Sequence, residues 1–206
     1  MTIAILGAGK MGTRIAARLA AAGEDVTLAA RDLKRTAEAA KSIGPQVKAA
    51  TPAAAVEGAD VVIVAVPYAQ IPAALKEAGD LSGKVLIDIS NAVGPNLSQA
   101  VSGATSAAEE IQRLVPGAKV VKAFNTIFSD LFEGPPEKSP PQVYYAGDDA
   151  AAKAKTAEVI RKAGFEPVDA GPLENARQIE AMGNLNIKFA FGLGRNRRIA
   201  FQIVQH

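Results

Sequence analysis

Short runs of aliphatic and β-branched residues alternate along this chain with longer stretches whose apolar positions recur every three or four residues. The runs are residues 2–6 (TIAIL), 25–30 (DVTLAA), 46–50 (QVKAA), 60–66 (DVVIVAV), 84–89 (KVLIDI) and 119–124 (KVVKAF). Most have the length and composition of buried parallel strands, with 46–50 the weakest and 60–66 apolar enough to sit at the centre of a sheet. Between them, Met11, Ile15 and Leu19 mark one face of a helix over 10–22, and Ile71 and Leu75 mark another. Asp32 reads as a helix N-cap, and Thr51-Pro52 as an N-cap and first-turn proline opening a short helix to about Glu57. A further helix is expected over 104–114. This alternation predicts an α/β protein built on a doubly wound, six-stranded parallel sheet.

The pattern breaks at 134–141 (GPPEKSPP), which holds four of the twelve prolines and reads as a linker. Beyond it come a strand at 142–147, a helix at 149–163, a strand at 166–170 and a long helix over 173–190. A glycine-rich, basic tail then leads to an apolar stretch at 199–204. The expected division is a main domain at 1–133 and a small C-terminal α/β extension at 142–206, packed on the same sheet.

Where the first run meets the first helix, Gly7-Ala8-Gly9-Lys10-Met11-Gly12 has the spacing G-x-G-x-x-G. Gly7 permits the tight turn, Gly9 lets backbone approach a diphosphate, and Gly12 lets the helix pack closely on the sheet. The helix that follows aims unpaired N–H groups and its positive end at the phosphates. A strand before the loop and a helix after it make this a Rossmann dinucleotide loop rather than a glycine-rich turn.

In an NAD site an acidic residue about 20 residues past the loop holds the ribose hydroxyls. Here that position is Ala30, followed by Arg31. Arg31, Lys34 and Arg35 crowd a helix start, where cations oppose the macrodipole unless an anion sits among them. A 2′-phosphate is such an anion and arginine grips it by a fork; a solvated basic turn is the alternative. NADP is the expected cofactor.

Carboxyl ends of strands face the ligand crevice in such sheets, so Val66, Pro67 and Tyr68 are expected to border the cofactor. Tyr68 is either a catalytic or a packing tyrosine. The fifth and sixth strands run into Asn91 and Asn125. Their amides suit a nicotinamide carboxamide, which needs both a donor and an acceptor, or they are turn formers.

Composition narrows the chemistry. Hydrophobic residues make up 49% of 206, enough for a core, and no apolar run has membrane-spanning length. No secretory leader is recognisable and cysteine is absent, which excludes disulfides and thiolate chemistry and fits a cytoplasmic protein. The only histidine is His206, so a histidine triad or metal site is not expected. A net charge of +2, from 23 basic and 21 acidic residues, is too balanced for a general nucleic-acid binder.

GAGKMG, ARDLKR, IDISNAV, VVKAFNTIFSD and DAGPLENAR together resemble the deazaflavin-dependent NADP oxidoreductases. They are also similar to the reductase domains of six-transmembrane metalloreductases. The resemblance implies phosphate and adenosine contacts at Gly9, Lys10, Met11, Ala30, Arg31 and Arg35, and nicotinamide-side contacts at Val66, Gln70, Asn91 and Ser129. It implies a second redox carrier, coenzyme F420 or a flavin (FAD or FMN), near Asn125, Ile127 and the tail residues Leu193, Arg195 and Asn196. Two departures stand out. Ala30 occupies a position where members often have serine, and Arg195, Arg197 and Arg198 replace an aliphatic ending.

Hydride transfer between a nicotinamide and a stacked flavin-like ring needs geometry more than side-chain acid–base chemistry, so no catalytic side chain is expected. A carbonyl or imine reductase would instead want a proton donor, for which Tyr68 and Lys122 are candidates, although Lys122 lies inside a strand. Such enzymes usually bury substrate in an added helical domain, in place of which a homodimer through the last helix would serve. The third possibility is a non-catalytic NADPH sensor.

Overall fold

A computed structural model of the chain describes residues 1–94, 101, 103–134 and 139–204. Residues 135–138 of the expected linker and the single histidine, His206, lie outside the described residues. Eight strands form one sheet: β1 (Thr2–Leu6), β2 (Asp25–Ala29), β3 (Val47–Ala50), β4 (Val61–Val64), β5 (Val85–Asp88), β6 (Lys119–Lys122), β7 (Gln142–Gly147) and β8 (Glu166–Asp169). Their order is β3-β2-β1-β4-β5-β6-β7-β8. The first six are parallel, β7 pairs antiparallel with β6 through Val121 and Lys122, and β8 runs parallel to β7. The strand order reverses between β1 and β4, which opens a crevice at their carboxyl ends.

Side-chain alternation along β1 sends Ile3 and Ile5 to one core and Ala4 and Leu6 to the other. The first core is closed by α1 (Lys10–Ala21), α2 (Leu33–Ile43) and α6 (Ala150–Lys162), through residues such as Leu19, Ala40 and Val159. The second is closed by α3 (Pro52–Glu57), α4 (Ile71–Ala78), α5 (Ala107–Leu114) and the start of α7 (Ala176–Ile187), through Val56, Ile71, Ile111 and Ala176. Covered on both faces, β4 needs no polar side, which explains its unbroken apolar run Val61–Val64.

Element ends differ from the sequence reading where local caps decide. Asp32 caps α2 as expected, accepting from the Arg35 N–H at 3.0 Å. Thr51 stands at the N-cap of α3, but its hydroxyl makes no capping bond. The helix expected over 104–114 starts only at Ala107, because Ser106 is extended and caps the Glu109 N–H at 3.2 Å. The long helix expected over 173–190 is a 3₁₀ turn at Leu173–Asn175, then α7, then a widened π turn at Lys188–Gly192. No helix of the described residues is long and apolar enough to cross a membrane.

The glycine loop depends on close backbone contacts. A Cβ at Gly12 would sit 2.0 Å from the Gly7 carbonyl oxygen, and one at Gly7 (φ +122°) would sit 2.4 Å from the Ala65 carbonyl oxygen. Gly12→Ala should therefore push α1 off the sheet and lower stability by about 3 kcal/mol, read as a shifted denaturant midpoint at unchanged slope. A midpoint equal to wild type would show that α1 does not need this approach.

Candidate functional site

Two cavities open along the carboxyl ends of the strands. The first, about 790 Å³, lies over the reversal point between β1 and β4. Gly7, Gly9, Ala30, Arg31, Arg35, Val66, Pro67 and Gln70 all line it. A Cβ at Gly9 would meet nothing within 4 Å, so this glycine keeps the loop face clear for a ligand rather than for the protein. Arg31, Lys34 and Arg35 have no carboxylate partner among the described residues, and Asp32 is occupied in capping α2. Lys34 does not line the cavity, and Gly12 lies buried beneath the loop.

The second cavity, about 450 Å³, lies over β5 and β6 and is lined by Met11, Asn91, Asn125, Ile127 and Ser129. Ile89, Val93, Phe124 and Phe128 complete a largely apolar wall, and α7 and the tail add Gly183, Asn186, Ile187, Phe191 and Arg197. The tail residues Leu193, Arg195 and Asn196 line neither cavity. Leu193 is exposed, the Arg195 guanidinium stacks over Phe189, and Asn196 accepts from the Arg198 N–H. Their neighbours reach the site instead. The Phe191 ring meets Phe128 edge-on at 6.1 Å, and Arg197 pairs with Asp130 at 3.0 Å.

Asn91 and Asn125 are brought together. Asn91 Nδ2 donates to the Asn125 carbonyl at 2.8 Å, and Asn125 Nδ2 donates to Asn91 Oδ1 and to the Ile179 carbonyl, each at 3.0 Å. The Asn125 Oδ1 is buried and has no partner among the described residues. A buried amide oxygen without a donor costs stability. Phe124 turns the chain there with φ +60°, an unusual conformation for a bulky residue, held by packing against Phe132 and Phe165.

Gly183 makes this meeting possible. A Cβ on it would fall 2.3 Å from Asn91 Oδ1 and 2.6 Å from Asn125 Nδ2. Sequence reasoning missed it, although a glycine inside an amphipathic helix is a signal of close approach.

Neither proton-donor candidate lies at the second cavity. The Tyr68 hydroxyl donates to the Glu110 carboxylate on α5. Burial and then Glu110 push its phenol up to about 12. Lys122 is fully buried and donates to Asp88 Oδ2 at 2.7 Å and the Ser90 carbonyl at 2.6 Å, with Glu180 Oε1 at 2.9 Å. Burial works to lower this ammonium, but the two carboxylates outweigh it and hold Lys122 above its ordinary value. A further charge cluster centres on Asp130, which lines the second cavity and pairs with Lys10 of the glycine loop at 3.3 Å. Burial opposes its charge, but Lys10, Ser129 and Arg197 prevail and keep the Asp130 carboxyl below the usual range.

A glycine loop at the reversal point of a doubly wound sheet defines a dinucleotide-binding α/β protein. A family model described as coenzyme F420-dependent NADP oxidoreductase matches residues 2–92. The F420-dependent NADP reductase of Methanothermobacter marburgensis is 36% identical over 91% of this chain and 93% of its own length. The metalloreductase STEAP3 of Rattus norvegicus is 34% identical over 87% of this chain, which spans only 36% of that protein. A crystal structure from Arthrobacter sp. FB24, provisionally assigned as an F420-dependent NADP reductase, superimposes over all of both chains with TM-score 0.89 and 32% identity. A reductive aminase of Aspergillus terreus, 18% identical with TM-score 0.69 over 94% of this chain and 62% of its own, shares the fold alone. The chain belongs to the F420-dependent NADP oxidoreductase family, and so to the oxidoreductases.

Two measurements check the site. Gly183→Ala should lower turnover about 10- to 100-fold by displacing the asparagine pair, while affinity for 2′,5′-ADP, which reads only the adenosine end, stays as in wild type. Because Tyr68 holds its proton more tightly folded than unfolded, its stabilising share is whole below about pH 10 and fades as pH rises through about 12. Ultraviolet phenolate titration of Tyr68→Phe should lose a component near pH 12; loss of one near pH 10 would contradict the buried assignment.

Proposed function

We propose that this chain transfers hydride between NADP(H) and a flat, flavin-like ring, F420 or a flavin. The adenosine 2′-phosphate would meet Arg31 and Arg35, the diphosphate the Gly7–Gly12 loop, and the carboxamide the Asn91–Asn125 pair. The observation that carries the reading is the apolar second cavity, open beside these asparagines and lined by neither Tyr68 nor Lys122. Bound NADPH supplies the hydride. The residues hold two rings at reacting distance and exclude water, so proximity and orientation account for the rate.

Each residue has a defined task in this scheme. The unpaired guanidiniums of Arg31 and Arg35 relieve the repulsion at the start of α2 when a phosphate arrives between them. Asn125 Oδ1, buried without a donor, accepts from the carboxamide NH₂ and fixes the nicotinamide face. Met11, Ile127 and the Phe128–Phe191 pair form the apolar wall against which the acceptor ring lies. Arg197 at the rim meets an anionic substituent of that acceptor. The relatives from Methanothermobacter, named F420-dependent NADP reductases, support F420 as the acceptor.

Purified protein should oxidise NADPH with F420 or FMN, and Arg31→Ala should raise KM for NADPH about 10- to 100-fold while leaving the NADH rate unchanged. Turnover with imines or carbonyls alone would replace this reading by that of a metabolite reductase. NADPH binding without turnover of any acceptor would replace it by that of a sensor.

A further inference from the structure

The three charged residues at the centre of the molecule are more buried than stability requires. Lys122 and Asp88 are wholly inaccessible and Glu180 nearly so. An apolar trio of the same volume would generally hold a core as well or better, since desolvation offsets most of the attraction. What charges provide and methyl groups do not is direction. Lys122 of β6 spends its three N–H donors on two other segments: Asp88 and the Ser90 carbonyl at the end of β5, and Glu180 of α7. Asp88 Oδ1 accepts from the Ser90 N–H at 2.9 Å, and Glu180 accepts from the Ala107 and Ala108 N–H groups at the start of α5 at 3.0 and 3.3 Å.

Each member also lies three residues before a residue of the second cavity: Asp88 before Asn91, Lys122 before Asn125, Glu180 before Gly183. The same three segments are thus tied together twice, by charges in the core and by amides at the surface of the cavity. Ser90, whose carbonyl Lys122 grips, adjoins Asn91, and Ile179, whose carbonyl Asn125 grips, adjoins Glu180. We propose that Asp88, Lys122 and Glu180 are positioning residues that set the Asn91–Asn125 pair for the nicotinamide, an inference that rests on the second cavity being the nicotinamide side.

The test is the combined variant Asp88→Asn, Lys122→Met, Glu180→Gln. Its amide oxygens still accept from Ser90 and from one of the Ala107 and Ala108 N–H groups, and its volume is nearly kept, but the ammonium ties are gone. Expected are a cooperative thermal transition and unchanged 2′,5′-ADP affinity, with kcat lowered about 10- to 100-fold and the ratio of NADPH to 2′,5′-ADP affinity reduced. Folded protein with wild-type kcat and wild-type ratio overturns the proposal. If the combined variant does not fold, Glu180→Gln alone is read in the same way, and a wild-type ratio there overturns it equally. A wild-type chain that turns over no acceptor counts against the reading of the cavity, and the affinity ratio then decides the role of the three charges.

Discussion

Everything at the carboxyl edge of the sheet depends on backbone meeting backbone at the first turn. The Gly7 carbonyl faces α1 so closely that only a hydrogen fits on Gly12, and the Ala65 carbonyl stands nearly as close to Gly7. These contacts place the start of α1 directly over the reversal of strand order. Gly9, which precedes that helix, borders the first cavity together with Arg31 and Arg35. A methyl group at either glycine would move the helix start, and with it the wall of the first cavity that Gly7 and Gly9 form.

The second cavity is built by a different principle. Its walls come from loops after β5 and β6 and from α7, segments far apart in the chain, and polar bonds rather than glycine turns hold them. Much of DAGPLENAR serves this assembly. Gly171 takes a positive φ of 92°, Asn175 donates to the Ala170 carbonyl at 2.6 Å, and Arg177 makes a forked contact with Glu109 on α5. That contact, ahead of burial, holds the Glu109 carboxyl below its usual range. This segment therefore anchors α7, and α7 delivers Gly183 and Asn186 to the cavity.

Asp130 links the two regions electrostatically. It pairs with Lys10 from the glycine loop and Arg197 from the tail, and its carbonyl accepts from Arg198. The same turn is fastened further along α1, where Arg14 pairs with Glu133 and Arg18 donates to the Phe132 carbonyl. Lys10, Arg14 and Arg18 recur every four residues, so one face of α1 clamps the segment that carries Ser129.

Local pattern alone determined the strands, most helices, the glycine loop and the basic turn at Arg31 and Arg35, because each is set by residues adjacent in the chain. Tyr68 and Lys122 show where that reach ends. Both looked like possible proton donors, and only packing reveals that one is bound to Glu110 and the other is enclosed by Asp88 and Glu180. The tail shows it again: Leu193, Arg195 and Asn196 stay off the cavity, while the π turn Lys188–Gly192 presents Phe191 and the chain beyond returns Arg197. Burial and partner choice across 30 to 60 residues are tertiary properties, since they depend on which elements the sheet brings side by side. So the sequence determined the glycine loop and the basic turn that border the first cavity, and only the tertiary structure decided which side chains line the second.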